Sequence, residues 1–132
     1  MAQWSLILHG GAKTIAPGEE DANRAGLLQA LEAGSAVLEA GGMALDAVEA
    51  AIRVLEDTPV FNAGLGSVRN TDGEVEMDAA IMDGMTLALG GVAAIRAVRN
   101  PIQVARLMLP DKPTLLVAEG ARRFAEAHGA AL

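Results

Sequence analysis

An α+β, layered fold is predicted by this sequence. Apolar runs of strand length alternate loosely with segments that repeat apolar residues every three or four positions. An Asp-Gly pair between alternating residues also implies an antiparallel turn, so the sheet is not purely parallel. The first strand is expected at Ser5-Leu6-Ile7-Leu8, a short apolar run that stops at Gly10-Gly11 and reads as buried. Pro17-Gly18-Glu19-Glu20 starts a helix, with acidic side chains near the positive end of its dipole. Leu27, Leu31 and Leu38 mark the core face of that helix, and Gly41-Gly42 its end. A second helix carries Leu45, Val48, Ile52 and Leu55, with Asp46 in its first turn. Pro59 closes it, because proline cannot donate to the ladder and restricts Thr58 before it.

Residues 62–66 are too rich in glycine for regular structure. Beyond them, Val68 and Asn70 lead to Asp72-Gly73, after which Val75 and Met77 alternate with Glu74 and Glu76, the pattern of a hairpin. Residues 87–95 are small and apolar around Gly90-Gly91 and read as a central strand closely approached by another backbone. Asn100-Pro101 supplies an N-cap and a proline at the first position of a short helix, which Pro110 ends. Leu115-Leu116-Val117 reads as another buried strand, and residues 119–127 as the last helix.

Composition narrows the function. An apolar fraction of 52% with 20% charged residues over 132 positions excludes disorder for the whole chain. No apolar run approaches the roughly 20 residues that span a bilayer, and no charged leader precedes a cleavable apolar segment. No membrane role and a cytoplasmic location are therefore expected. Without cysteine there is no disulfide, zinc-thiolate site or cysteine nucleophile. A net charge of −7, with both signs intermixed, makes nucleic acid a poor partner. Aromatics at 2% beside 15 glycines imply tightly apposed backbones. Such a core either stands alone or is completed against another chain, and composition does not choose.

Several motifs invite chemistry. His9-Gly10-Gly11 is either an oxyanion-type loop or a strand-ending turn with a packed histidine. The G-x-S-x-G elbow of an α/β-hydrolase is missing, since Ser5, Ser35 and Ser67 lack its flanks. Gly64-Leu65-Gly66 lacks the third glycine of a dinucleotide loop and follows a helix instead of a strand. Asn70-Thr71-Asp72-Gly73 is a turn, because the spacing and flanks of a calcium loop are wrong. Asp78 and Asp83 are expected to make structural hydrogen bonds at a hairpin rim, and His128 carries no role. Asn62-Ala63-Gly64-Leu65-Gly66-Ser67 is the most informative stretch. The backbone must bend sharply past Pro59, and a neutral amide at such a bend can orient a nucleophile or substrate without titrating. An ordinary loop would look similar.

Taken in order, His9-Gly10-Gly11-Ala12, Ala44-Leu45-Asp46-Ala47-Val48, Phe61-Asn62-Ala63-Gly64-Leu65-Gly66-Ser67, Met77-Asp78-Ala79-Ala80-Ile81-Met82-Asp83-Gly84 and Arg99-Asn100-Pro101 form a set. Together they resemble the N-terminal α-subunit of plant-type L-asparaginases, also called isoaspartyl (β-aspartyl) peptidases. The resemblance covers nearly the whole chain. It implies the αββα four-layer sandwich of N-terminal-nucleophile hydrolases. Residues 1–132 would be the N-terminal half of one domain, completed by a separate β-subunit from the same precursor in an (αβ)2 assembly. In that family the precursor cuts itself, and the new N-terminal Thr of the β-subunit attacks a small-molecule amide, L-asparagine or a β-aspartyl dipeptide. An α-amino group has a reference pKa of about 7.7–8.0, so the Thr serves as its own base.

The resemblance also assigns residues. Asn62 matches the asparagine beside the nucleophilic Thr. Leu55, Glu56, Thr58, Phe61, Ala63 and Leu65 match a loop whose backbone oxygens wrap a sodium ion; no organic cofactor is implied. His9, Gly10 and Gly11 become a mobile loop linked to self-cleavage instead of an oxyanion hole. The sequence departs from the family pattern at Lys13, where many relatives continue with glycine, and in stopping at Leu132. The start, Met1-Ala2, offers no nucleophilic atom, so the chain by itself is expected to be inert. A glycosylasparaginase-type subunit and a catalytically silent scaffold of the same fold are the alternatives.

Overall fold

The computed structural model describes residues 3–110 and 113–132, so the Met1-Ala2 start read above lies outside them. Two helices come first, α1 (Glu20–Glu39) and α2 (Ala44–Asp57), followed by a single 3₁₀ turn at Gly64–Gly66. The order then runs β1 (Met77–Met82), β2 (Leu89–Ile95), α3 (Pro101–Leu107), β3 (Leu115–Val117) and α4 (Ala118–Ala127). This is a mixed α+β domain. Among the described residues no helix is long and apolar enough to cross a membrane.

The stop at the end of α1 lies where Gly41-Gly42 predicts it. Gly41 takes a φ of 80°, and its N–H donates to the Leu38 carbonyl while that of Gly42 donates to Val37. Both orphan carbonyls are thereby satisfied. The face of α1 that packs is not the leucine face. Asn23, Gly26, Ala30 and Gly34 are the buried residues, whereas Leu31 is exposed and Leu27 and Leu38 are half-buried. On α2 likewise Ala47 and Ala51 are buried and Val48 is exposed. The reason is proximity: a Cβ on Gly34 would lie 3.1 Å from the Ala47 carbonyl oxygen. Helices this close admit only small residues at the contact, and the leucines flank it.

The sheet is ordered β1-β2-β3, antiparallel across the first pair and parallel across the second. β2 is central, as the sequence predicts, and Gly90 faces the Ala105 carbonyl of α3 so closely that a Cβ would overlap it. The hairpin lies elsewhere than expected. At Asp72-Gly73 there is a tight turn, with Gly73 at φ 81°. The Asn70 side chain accepts the N–H groups of Asp72 and Glu74 there. Among the described residues those flanking it find no ladder, and the strands paired antiparallel are β1 and β2. Asp83 closes the connection between them, accepting the Met85 N–H and the Thr86 hydroxyl, and these hold its carboxyl below the usual range. Asp78 accepts the Ala94 N–H at 2.7 Å where the ladder shifts register between Met77 and Ala79. Both aspartates thus do the structural work expected of them.

Two other predicted strands are corrected. Residues 5–8 carry no regular structure and pair with no strand among the described residues. Leu6 and Leu8 are half-buried while Ile7 is 93% exposed, because no ladder partner lies beside them. β3 is an exposed edge instead of a buried strand, with Leu115 and Val117 open and Leu116 half-buried.

The core lies on one face of the sheet. Met77, Val92 and Ile95 pack with Val104 and Met108 on the α3 side and with Ala121 and Ala125 of α4. Ile81 joins Ile102 and Ala105, with Leu45 and Ile52 of α2 against them. The register places Ala80, Met82, Leu89, Gly91, Leu115 and Val117 on the opposite face. Met82, Leu89, Leu115 and Val117 stand exposed there.

Candidate active-site support

The site is built where α2 ends. Thr58 turns the chain into an extended conformation, and its hydroxyl bonds back to the Val54 carbonyl at 2.6 Å. The chain then doubles back on the helix end. Gly64 sits at φ 50° against the Glu56 backbone, so that an added Cβ would overlap the Glu56 carbonyl and lie 2.6 Å from its Cβ. Gly66 is required by closeness alone: a Cβ there would overlap the Phe61 carbonyl and lie 2.5 Å from that of Pro59. Gly64→Ala is therefore expected to cost at least about 2 kcal/mol of stability, because φ and contact both oppose it. Chemical denaturation measures this, and Leu65→Ala, at an exposed neighbour, should change little.

Within this bend Asn62 is exposed, and its Oδ1 accepts the Val68 N–H at 2.9 Å, which fixes the amide across the loop. Its Nδ2 has no partner among the described residues. Asn62 lines a cleft of about 340 Å³ together with His9, Gly10 and Gly11, and with Leu55, Phe61 and Ala63. The fold thus gathers residues from two segments far apart in the sequence, 9–13 and 55–63. Gly10 rests against Leu27 and the buried Phe61, Gly11 takes φ 101°, and its N–H donates to His9 Nδ1 at 3.0 Å. Of the remaining residues of the sodium reading, Glu56 lines an adjoining cavity of about 230 Å³ that Asn62 and Ala63 also reach. Leu65 lies on another side, in a cavity of about 650 Å³, and Thr58 lines none of the three.

The electrostatics centre on a residue whose side chain the sequence reading passes over. Glu56 is 3% exposed. Its Oε1 accepts the Ile102 N–H at 3.0 Å, and its Oε2 is buried without a partner. Burial pushes its pKa up to about 7, against the opposing bond from the Ile102 N–H and the nearby Asn100 amide. The available signal is its spacing: Glu56 follows Ile52 by four, which places a carboxyl on the apolar stripe. Asn100 is correspondingly not the side-chain cap expected of it. It occupies the cap position but makes no capping bond; Glu56 serves the first turn of α3, and the Asn100 amide donates to Asp57 at 3.2 Å. Arg99 pairs with Asp57 as well, at 3.1 Å. Partial desolvation opposes these bonds, yet they hold the Asp57 carboxyl below its ordinary range.

Among the described residues no group of three or more His, Cys, Asp or Glu side chains is arranged to hold a metal ion. A hard cation is better matched to the main chain of the bend. The carbonyl of Glu56 faces Gly64, and those of Pro59 and Phe61 face Gly66, carbonyl oxygens being the ligand type that a hard cation takes.

The family model described as Asparaginase (Asparaginase_2) matches residues 2–132, and the chain belongs to that family. It is 49% identical over 126 residues to an isoaspartyl peptidase/L-asparaginase of Bos taurus, covering 94% of this chain and 41% of that protein. With the Xenopus laevis protein of the same name the identity is 50% over 125 residues, covering 94% and 40%. With a plant-type L-asparaginase of Pyrococcus abyssi it is 54% over 127 residues, covering 95% and 41%. The chain spans about two-fifths of the length of these relatives.

Proposed function

We propose that this chain is the α-subunit part of a threonine-nucleophile amidohydrolase acting on L-asparagine and β-aspartyl dipeptides. The observation that carries the reading is the content of the cleft. Asn62 lies there beside the glycine loop, yet none of the lining residues bears a hydroxyl or thiol nucleophile. In this reading the nucleophile comes from a companion segment, the N-terminal Thr of a β-subunit. The open apolar face of the sheet supports the same division. A second sheet laid on it would give the αββα sandwich, since stacked sheets bury their inner faces about 10 Å apart.

Chemically, the Thr hydroxyl attacks the side-chain amide carbonyl while the residue's own α-amine takes the proton. That proton passes to the departing ammonia or amine, and water then hydrolyses the acyl ester. Asn62 contributes an uncharged donor and acceptor that hold the attacking residue and do not titrate near neutrality. Leu55, Glu56, Thr58, Phe61, Ala63 and Leu65 would hold a sodium ion through their backbone oxygens. Such an ion supplies charge that fixes the shape of the bend.

Denaturing mass spectrometry of the native protein, joined to an ammonia-release assay with L-asparagine, tests the proposal. A companion chain beginning with Thr, with turnover by the pair and none by residues 1–132 alone, is the expected result. A single species without turnover would identify a silent scaffold, and hydrolysis by residues 1–132 alone would refute the division of labour.

A further inference from the structure

The glycine loop has few ties of its own. Among the described residues, segment 3–13 forms one internal hydrogen bond, from the Gly11 N–H to His9. One hydrogen bond joins it to the rest of the chain: Lys13 Nζ donates to the Val60 carbonyl at 2.6 Å. The same ammonium lies 4.0 Å from Glu19 Oε2 at the start of α1. Otherwise the segment rests on apolar contact, Gly10 on Leu27 and Phe61 and Leu6 on Gly34.

We infer that Lys13 is a positioning residue, a latch that holds the His9–Gly11 loop over Asn62. The geometry favours this role. Val60 lies two residues before Asn62, so the bond fastens the loop to the same bend that carries the amide. Lys13 lines the cleft together with Asn62 and the His9–Gly11 loop. An ammonium bound to a carbonyl is a charge-assisted bond, stronger than its neutral counterpart, and the flexible four-carbon stem lets the loop span the gap. Glycine at this position would offer no such donor. The inference rests on the hydrolase reading, because it concerns how the loop serves the cleft.

Two measurements test it in the assembled protein. Lys13→Met keeps the length of the stem and removes the donors, whereas Lys13→Arg keeps a donor. The first should lower kcat for L-asparagine about fivefold to tenfold, with KM within about twofold, and the second should restore most of the loss. Wild-type rates in Lys13→Met, or equal impairment in Lys13→Arg, would overturn the role. Separately, acylation of the Lys13 amine by a succinimidyl ester should run several-fold slower in the folded protein than in urea. Equal rates would overturn the latch itself. Should the wild-type protein hydrolyse no substrate, the hydrolase reading fails while the acylation rate still decides whether the latch exists.

Discussion

Asn62→Ala is expected to lower turnover by the assembled protein about a hundredfold, the usual scale for losing one preorganised hydrogen-bonding group beside a reacting centre. Its side chain makes a single bond within the described chain, to the Val68 N–H, and the residue is exposed. Folding should therefore lose only about 1 kcal/mol. Steady-state kinetics alongside the association of the two chains separates these effects. A large drop in kcat with nearly normal association is the expected pattern. A normal rate with normal association would remove Asn62 from the machinery. Asn62→Asp is informative as well: it keeps the acceptor for Val68 but places a negative charge beside the proposed nucleophile.

Glu56 should impose a pH dependence on stability near neutrality. Its folded pKa of about 7 lies above the ordinary value of 4.5, so the native state binds the extra proton between these values. Stability from this group is complete below about pH 4.5 and is lost as pH rises through 7. A shift of this size corresponds to about 3 kcal/mol. Glu56→Gln keeps an oxygen for the Ile102 N–H and cannot ionise, so it should flatten the curve and exceed wild type above pH 7. Denaturant titrations between pH 5 and 8, in choline salts to keep sodium out of the bend, read this directly. Parallel curves for the two proteins would show that Glu56 does not titrate in that window. Asp57 works in the opposite sense and a lower range. Its carboxyl is held below the ordinary value, so its contribution is present above that value and lost in acid.

Much of the fold was legible in the chain because the signals were local. Gly41 in the left-handed region, Pro101 at the first position of α3 and the run after Pro59 each act within a few residues of themselves. Gly90 was legible for a related reason, since a missing side chain in an apolar strand marks where another backbone comes close. The misplaced elements share the opposite property. Residues 5–8 have the pattern of a strand, but a ladder needs a neighbour the pattern does not specify. Asp72-Gly73 makes its turn, yet which strands pair was decided by the apolar contacts of Met77 and Ile81 with α3 and α4.

The candidate site divides along the same line. Residue type and order alone marked the bend at 62–66, because glycine and proline carry their conformational preferences with them, and the resemblance to a known family singled out Asn62 within it. Only the tertiary structure could bring His9–Gly11 onto that bend, link Lys13 to Val60, and turn Glu56 from a helix-surface carboxylate into a buried acceptor for α3. Those outcomes depend on which backbone lies within hydrogen-bonding distance across forty or more residues. Distances of that kind are set by packing and appear nowhere in the local pattern.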